Sequence, residues 1–356
     1  MIDNKLININ RGRQSNIEAL RLISMLMVLN LHSFWGYNHG SGLLQVADFF
    51  RESTSICAVN AFLLISGYFG IKWKFKSFYN LIFQLFFYAF GVYAVAVALC
   101  IIDFSVRDFL MNFTCIYKYW GFITAYVLLY VLSPMLNALA EKLTSKELLA
   151  TILLLYISEL FITRDCGSLN YGIIYLIGRF MKKTDAVEKL KVYATSAYWI
   201  TTIIIFVLVY CSYRFLHINT AEQMSGFPLG FSYSGPFVIL QALFIFLVFA
   251  RMNFTSKFIN WCSASCLSIF LIHMHPAIKQ IYYDSTESLY DLNPFIHVGL
   301  LLLLIVFVFF GCILIDKVRI LISDAVYALL SKIKQLLPER LFKFETYIPA
   351  VIKNIL

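Results

Sequence analysis

Apolar residues in this chain come in long unbroken blocks. They neither alternate with polar residues nor form the narrow stripe of a water-facing helix. No Asp, Glu, Lys or Arg occurs in 53–71, 77–102, 119–140, 192–213, 223–250, 258–278 or 292–315. Crossing a hydrocarbon core of about 30 Å takes about 20 apolar residues in a helix. An eighth stretch, 17–35, carries only Glu18 and Arg21 before His32. Two shorter runs, 148–163 with Glu159 inside and 166–180 with Arg179 near its end, span as short helices between longer neighbours. Backbone groups find no water in lipid, and the apolar/polar alternation of a barrel is absent, so every span is expected to be a helix. The pattern predicts an all-α polytopic membrane protein, a bundle of about ten transmembrane helices.

Composition agrees. Of 356 residues, 60% are hydrophobic and 14% charged, against about 25% charged in soluble domains. The net charge of +9 fits either nucleic acid or a membrane surface, and the placement of the charges separates the two. With ten helices and a cytoplasmic N-terminus, 22 of the 29 Lys and Arg fall before Ile17, in the loops at 72–76, 141–147, 179–191 and 251–257, or beyond 316. Six lie on the other side, and Arg21 is within a helix. Such a bias favours both termini in the cytoplasm and argues against nucleic acid. Trp35, Trp73, Trp120, Trp199 and Trp261 all fall at expected helix ends, as an interfacial aromatic belt requires.

The expected organisation is a cytoplasmic segment 1–16, a membrane domain 17–315 and a cytoplasmic amphipathic tail 316–356, broken by Pro338 and Pro349 and lying on anionic lipid. The first sixteen residues are polar and basic with no small-residue cleavage site after an apolar segment, so the first helix reads as retained. Cys115 and Cys166 fall in loops on the same outer side, which leaves a pairing open. Cys262 and Cys266 are four apart near His273, without the second close pair a zinc site needs.

An ionisable residue inside the bilayer costs about 2.5–3.5 kcal/mol on insertion scales, so the charges that stay there are informative. Arg21 and His32 are eleven residues apart. Eleven helical steps of about 100° return to within about 20° of one face, about 16 Å along the axis. Glu18 precedes Arg21 at ion-pair spacing. One face thus carries a carboxylate and a guanidinium low and an imidazole high. The plainer readings are a snorkelling anchor for Glu18 and Arg21 and an interhelical packing bond for His32. Asn60, Ser66 and Gly67 gather in the next helix, followed by Lys72, Lys74 and Lys76, which are either topology charges or a grip on an anion. Later come Ser268, His273, His275 and Pro276. In a helix the two histidines are about 200° apart, so only one faces a given site, and His273 is the better candidate. Pro276 is expected to loosen that helix.

These residues resemble the bacterial membrane acyltransferases of acyltransferase family 3. Arg21 and His32, ten residues between them, look like the family's first-helix signature. The segment 62–69, with Ser66 and Gly67, is similar to its second-helix element. The aromatic run 119–126, with Trp120 and Tyr126, is similar to a third, and Ser268 to His273 to a late one. The resemblance covers roughly 16–315. It implies transfer of an acyl group, usually acetyl, from cytoplasmic acyl-CoA to a sugar hydroxyl of O-antigen, capsule or a related surface glycan, in the inner membrane of a bacterium. His32 and Arg21 would be the catalytic pair. Where the family is commonly arginine-rich after the second helix, this chain has Lys72, Lys74 and Lys76, which balance phosphate charge without a bidentate fork.

The reaction then expected has Arg21 holding the donor's phosphate region, with help from the three lysines, and Glu18 holding Arg21. His32 is general base on the acceptor hydroxyl or a transient acyl carrier. His273, Ser66 or Tyr126 would stabilise the oxyanion. Acetyl-CoA is a co-substrate, and neither a bound cofactor nor a metal is called for. Two rivals fit a buried Arg and His: a transporter or flippase for a glycan-assembly intermediate, and a non-catalytic member of such an assembly. A transporter is expected to show two similar halves, and the sequence has no internal repeat.

Overall fold

The computed structural model describes residues 14–33, 42–114, 121–160, 167–190, 192–216 and 230–336, and these contain helices and no strand. Trp35, Trp120, Cys115, Cys166 and the tail from 337 lie outside them, as do the expectations placed on them. The helices are α1 (Ser15–His32), α2 (Leu43–Ser55), α3 (Ala58–Phe69), α4 (Phe75–Ala98), α5 (Val106–Met111), α6 (Gly121–Lys142), α7 (Ser145–Ser158), α8 (Gly167–Lys183), α9 (Ala186–Leu190), α10 (Ala194–Leu216), α11 (Pro236–Ala250), α12 (Lys257–Ser263), α13 (Cys266–His273), α14 (Lys279–Glu287) and α15 (Pro294–Leu336).

Each of the ten apolar stretches contains helix. Four segments, α4, α6, α10 and Pro294–Tyr327 of α15, are long and apolar enough to cross a membrane on their own. Their outward faces remain apolar: Ile200, Ile203 and Val207 of α10 and Leu303, Phe307 and Leu314 of α15 are exposed. Surfaces of that size on a soluble monomer would drive aggregation, so these faces meet lipid. The chain is a membrane protein.

Local chemistry sets several boundaries. Thr144 and Glu147 form a reciprocal capping box that starts α7, and its two hydrogen bonds from Thr144 hold the Glu147 carboxyl below the usual range. Ser105 and Ser256 cap α5 and α12. Pro236 occupies the first turn of α11, where its missing N–H costs nothing.

Long-range hydrogen bonds show the helices running up and down between two ends. Ser15 Oγ donates to Asn260 Oδ1 (3.1 Å), Arg251 to Thr195 Oγ1 (2.7 Å) and Asn137 to the Ile71 carbonyl (2.9 Å) at one end. Asn30 donates to Ser55 (2.8 Å), Tyr156 to the Ser234 carbonyl (2.9 Å) and Tyr282 to the Leu29 carbonyl (2.9 Å) toward the other. Lys72, Lys74 and Lys76, and the basic residues of 142–146, 179–189 and 251–257, share the Ser15 end. Arg51, Arg107, Arg214 and Lys279 share the His32 end.

Three expectations need correction. The second stretch is not one helix from residue 53, because α2 ends at Ser55 and α3 starts at Ala58. The ninth breaks at Ala264 and Ser265 and stops at His273, so Pro276 stands in the following turn and bends no helix. α15, a continuous 43-residue helix, runs on through positions 315 and 316, where the membrane domain is expected to pass into the tail. Arg319 is not a free topology charge: its Nε donates to Asp316 Oδ1 (2.5 Å), and both side chains are buried.

α1 is the shared wall of two cores. Ile17 and Leu20 pack with α3, α8, α10 and α11, whereas Leu22, Met25, Val28 and Leu29 pack with α4, α13, α14 and α15. The closest helix contact is α3 on α8. A Cβ on Gly67 would lie 2.1 Å from the Tyr175 carbonyl oxygen, and one on Gly178 would lie 2.6 Å from the Tyr68 nitrogen. Small residues let these backbones approach, as membrane helices require when no solvent drives them together.

Candidate active site

Glu18, Arg21 and His32 all lie on α1, at the seam between the cores. Arg21 Nη1 is 3.3 Å from Glu18 Oε1. The carboxylate side chain is 9% exposed and the guanidinium 38%, so the pair is anchored on its acidic side and open on its basic side. The opening is a cavity of about 280 Å³ whose lining includes Arg21, Ser66, Phe122, Tyr126, Cys266 and Leu267. It reaches the break between α12 and α13, through Ser263 and Ala264. A guanidinium facing such a space suits phosphate or carboxylate, which it grips with a planar fork.

His32 sits further along α1, beside His273. Its Nδ1 is 2.8 Å from His273 Nε2, and His273 Nδ1 is 2.5 Å from the Ile269 carbonyl oxygen. A carbonyl only accepts, so His273 carries its proton on Nδ1. With both rings neutral, His273 Nε2 is then the acceptor and His32 Nδ1 the donor. His32 keeps an unprotonated Nε2, the form a general base requires. The neighbouring His275 is engaged with backbone, since its Nε2 donates to the Ala89 carbonyl (3.0 Å) and its Nδ1 accepts from Ala277 N (3.2 Å). His273 and not His275 thus meets His32, and the reason is the end of α13 rather than opposite helix faces.

An aromatic run connects cavity and histidines. Phe122 stacks on Tyr126 (6.1 Å between centroids) and meets Phe270 (5.5 Å), which meets His32 (6.0 Å). Of the expected residues, Arg21, Ser66 and Tyr126 share one cavity, Glu18 supports it, and His32 and His273 form a pair beside it. Lys72, Lys74 and Lys76 are exposed and do not line it, and Lys76 Nζ lies 4.5 Å over the Tyr327 ring.

The sequence concealed a second layer. Asp316 accepts from Tyr88 Oη (2.7 Å), from Ser268 Oγ and from Arg319, and Gln84 donates to Ser268 (2.5 Å). This fully enclosed network ties α4 and α15 to α13, the helix that presents His273. Its signal was Asp316 and Arg319, opposite charges at helical spacing where an apolar run appeared to end.

The family model described as an acyltransferase domain, that of acyltransferase family 3, matches residues 14–317. The chain belongs to acyltransferase family 3. No curated protein and no solved structure matches it. Membership makes this chain a membrane acyltransferase, and the match ends one residue past Asp316, so it takes in α1, the histidine pair and the carboxylate behind α13.

Proposed function

We propose that this acyltransferase moves an acetyl or other short acyl group from acyl-CoA to a hydroxyl of a cell-surface glycan of the O-antigen or capsule type. The observation that carries the reading is the tautomer-locked His32, with an arginine-lined cavity beside it on the same helix. The cationic loops at the Ser15 end support a cytoplasmic orientation for that end and for both termini, in a bacterial inner membrane. Acyl-CoA, made in the cytoplasm, then meets Arg21 before His32.

In the reaction, Arg21 holds the anionic part of the donor and Glu18 fixes the guanidinium. His32 Nε2 takes the proton of the acceptor hydroxyl as its oxygen attacks the thioester carbonyl. The new ester C–O bond forms, the C–S bond breaks, and the proton passes from His32 to the departing sulfur as CoA thiol. His273 positions His32 and accepts from its Nδ1. Ser66 and Tyr126 face the cavity as donors for the carbonyl oxygen. The chain binds membrane lipid and needs no resident cofactor, metal or nucleic acid.

The deciding experiment gives purified full-length protein in lipid nanodiscs acetyl-CoA and the surface glycan of its own cell. Free thiol and acylated glycan are expected to appear in equal amounts. A transporter or a passive assembly member would release no thiol. Arg21→Lys is expected to raise the donor KM about tenfold, because a point charge replaces a fork, whereas Lys74→Ala leaves it within twofold. Equal effects would move the donor anchor to the 72–76 cluster.

A further inference from the structure

A second cavity, of about 240 Å³, borders the turn that follows α13, two residues past His273. Tyr93, Asp103, Asp108, Asn112 and His275 line it, together with the turn at Pro276 and Ala277. Its place in the fold is specific. Leu267, early in α13, lines the Arg21 cavity, His273 at the end of that helix meets His32, and His275, two residues later, lines this second space. Along one short run of chain the order is cationic cavity, the histidine that meets His32, acidic cavity.

The linings differ in charge. Arg21 is the charged group of the first, while Asp103 and Asp108 bring two carboxylates to the second and no Lys or Arg lines it. Neither carboxylate has an ion-pair partner among the described residues. Asn112 is 3% exposed, and its Nδ2 has no hydrogen-bond partner among the described residues although it borders the cavity. An unpaired buried amide destabilises the fold unless something arrives to accept from it. Tyr93 places a ring here, its hydroxyl engaged by the backbone of Ser105 (2.9 Å to both N and O). His275 has spent both nitrogens on backbone, so it shapes the wall and performs no chemistry there.

We infer that this second cavity is the acceptor subsite, and that it takes a polyhydroxylated residue bearing neither phosphate nor carboxylate. Asp103 and Asp108 accept from sugar hydroxyls, and the Asn112 amide donates to a ring or hydroxyl oxygen. Two unpaired carboxylates repel an anionic residue at short range. The assignment rests on the acyltransferase reading above and adds to it where the acceptor sits and which acceptors are refused. Donor and acceptor then approach His32 from opposite ends of α13, so an anionic donor is drawn to the arginine and rejected by the acidic cavity.

The test uses full-length protein in nanodiscs, acetyl-CoA and surface glycan extracted from the cell that makes the chain. Asp103→Asn with Asp108→Asn, and separately Asn112→Ala, are expected to raise the acceptor KM at least about tenfold, the effect of losing hydrogen bonds worth about 1.5 kcal/mol or more. The donor KM should move less than twofold. Arg107→Gln, a neighbouring charge outside the lining, should change neither. Mass spectrometry of the product should find the acyl group on a residue without phosphate or carboxylate. An unchanged acceptor KM in both variants, a donor KM that rises equally, or an acyl group on a uronate or phosphorylated residue would overturn the assignment while leaving the acyltransferase reading intact. Absence of any thiol release by the unaltered chain would remove that reading, and this one with it.

Discussion

His32→Ala is expected to lower acyl transfer by about 10²–10⁴-fold, the usual contribution of a positioned general base, with the donor KM nearly unchanged. The split follows from the geometry. Arg21 stays in its cavity, one turn from Glu18, so in the proposed reaction the donor is still held, while the lone pair proposed to take the hydroxyl proton is gone. Removing His32 also strips a partner from His273 Nε2, and an alanine variant alone would leave repacking as an explanation. His32→Gln answers this, since its amide still donates toward His273 but cannot take a proton. Both variants should melt near the unaltered protein and both should be inactive. Transfer by His32→Gln within tenfold of normal would mean that the hydroxyl is deprotonated elsewhere.

Gly67→Val is expected to be the most damaging single change to the fold. Its Cβ would sit 2.1 Å from a backbone carbonyl of α8, which no rotamer relieves, so α3 and α8 must separate. That cost is expected at or above the upper end of the ~1–3 kcal/mol typical of overpacking. It is read as loss of folded protein in a thermal melt in detergent. An internal comparison within α8 makes the test sharp. Gly178→Ala meets the Tyr68 nitrogen at 2.6 Å and should destabilise, whereas Gly172→Ala meets nothing within 4 Å and should stabilise by about 0.5–1 kcal/mol through helix propensity. Equal shifts for the two alanines would mean that the seam is loose.

The long apolar blocks were legible because lipid imposes one solution on the backbone, and helix stands in every block the sequence marked. That Glu18, Arg21 and His32 lie on one helix was legible because it needs only an unbroken apolar stretch. The break at Ala264 and Ser265 was not, since nothing in the apolar run 258–278 marks it. It is fixed by tertiary bonds such as Cys266 to the Arg21 carbonyl (3.3 Å) and Ser268 to Asp316. The role of Asp316 was hidden for a related reason. A charge ending an apolar run reads as the water boundary, and only the fold brings Tyr88 and Ser268 to it. The cavity beyond His273 was out of reach because Tyr93, Asp103 and Asn112 are joined to His275 by packing and not by spacing.

The carboxylate behind α13 also bears on how the protein is made. Translation delivers Ser268 and His273 well before Asp316 and Arg319, and α13 is only eight residues long, too short to hold itself in place. Until residue 319 leaves the ribosome and its ion pair enters the bundle, the hydroxyls of Tyr88 and Ser268 have no carboxylate to bind. A nascent chain stopped at residue 315 would contain both histidines and the arginine, yet lack the tie that sets His273 against His32. Catalytic competence therefore waits until residue 319 has been made, and a chain released before it lacks the tie that presents His273.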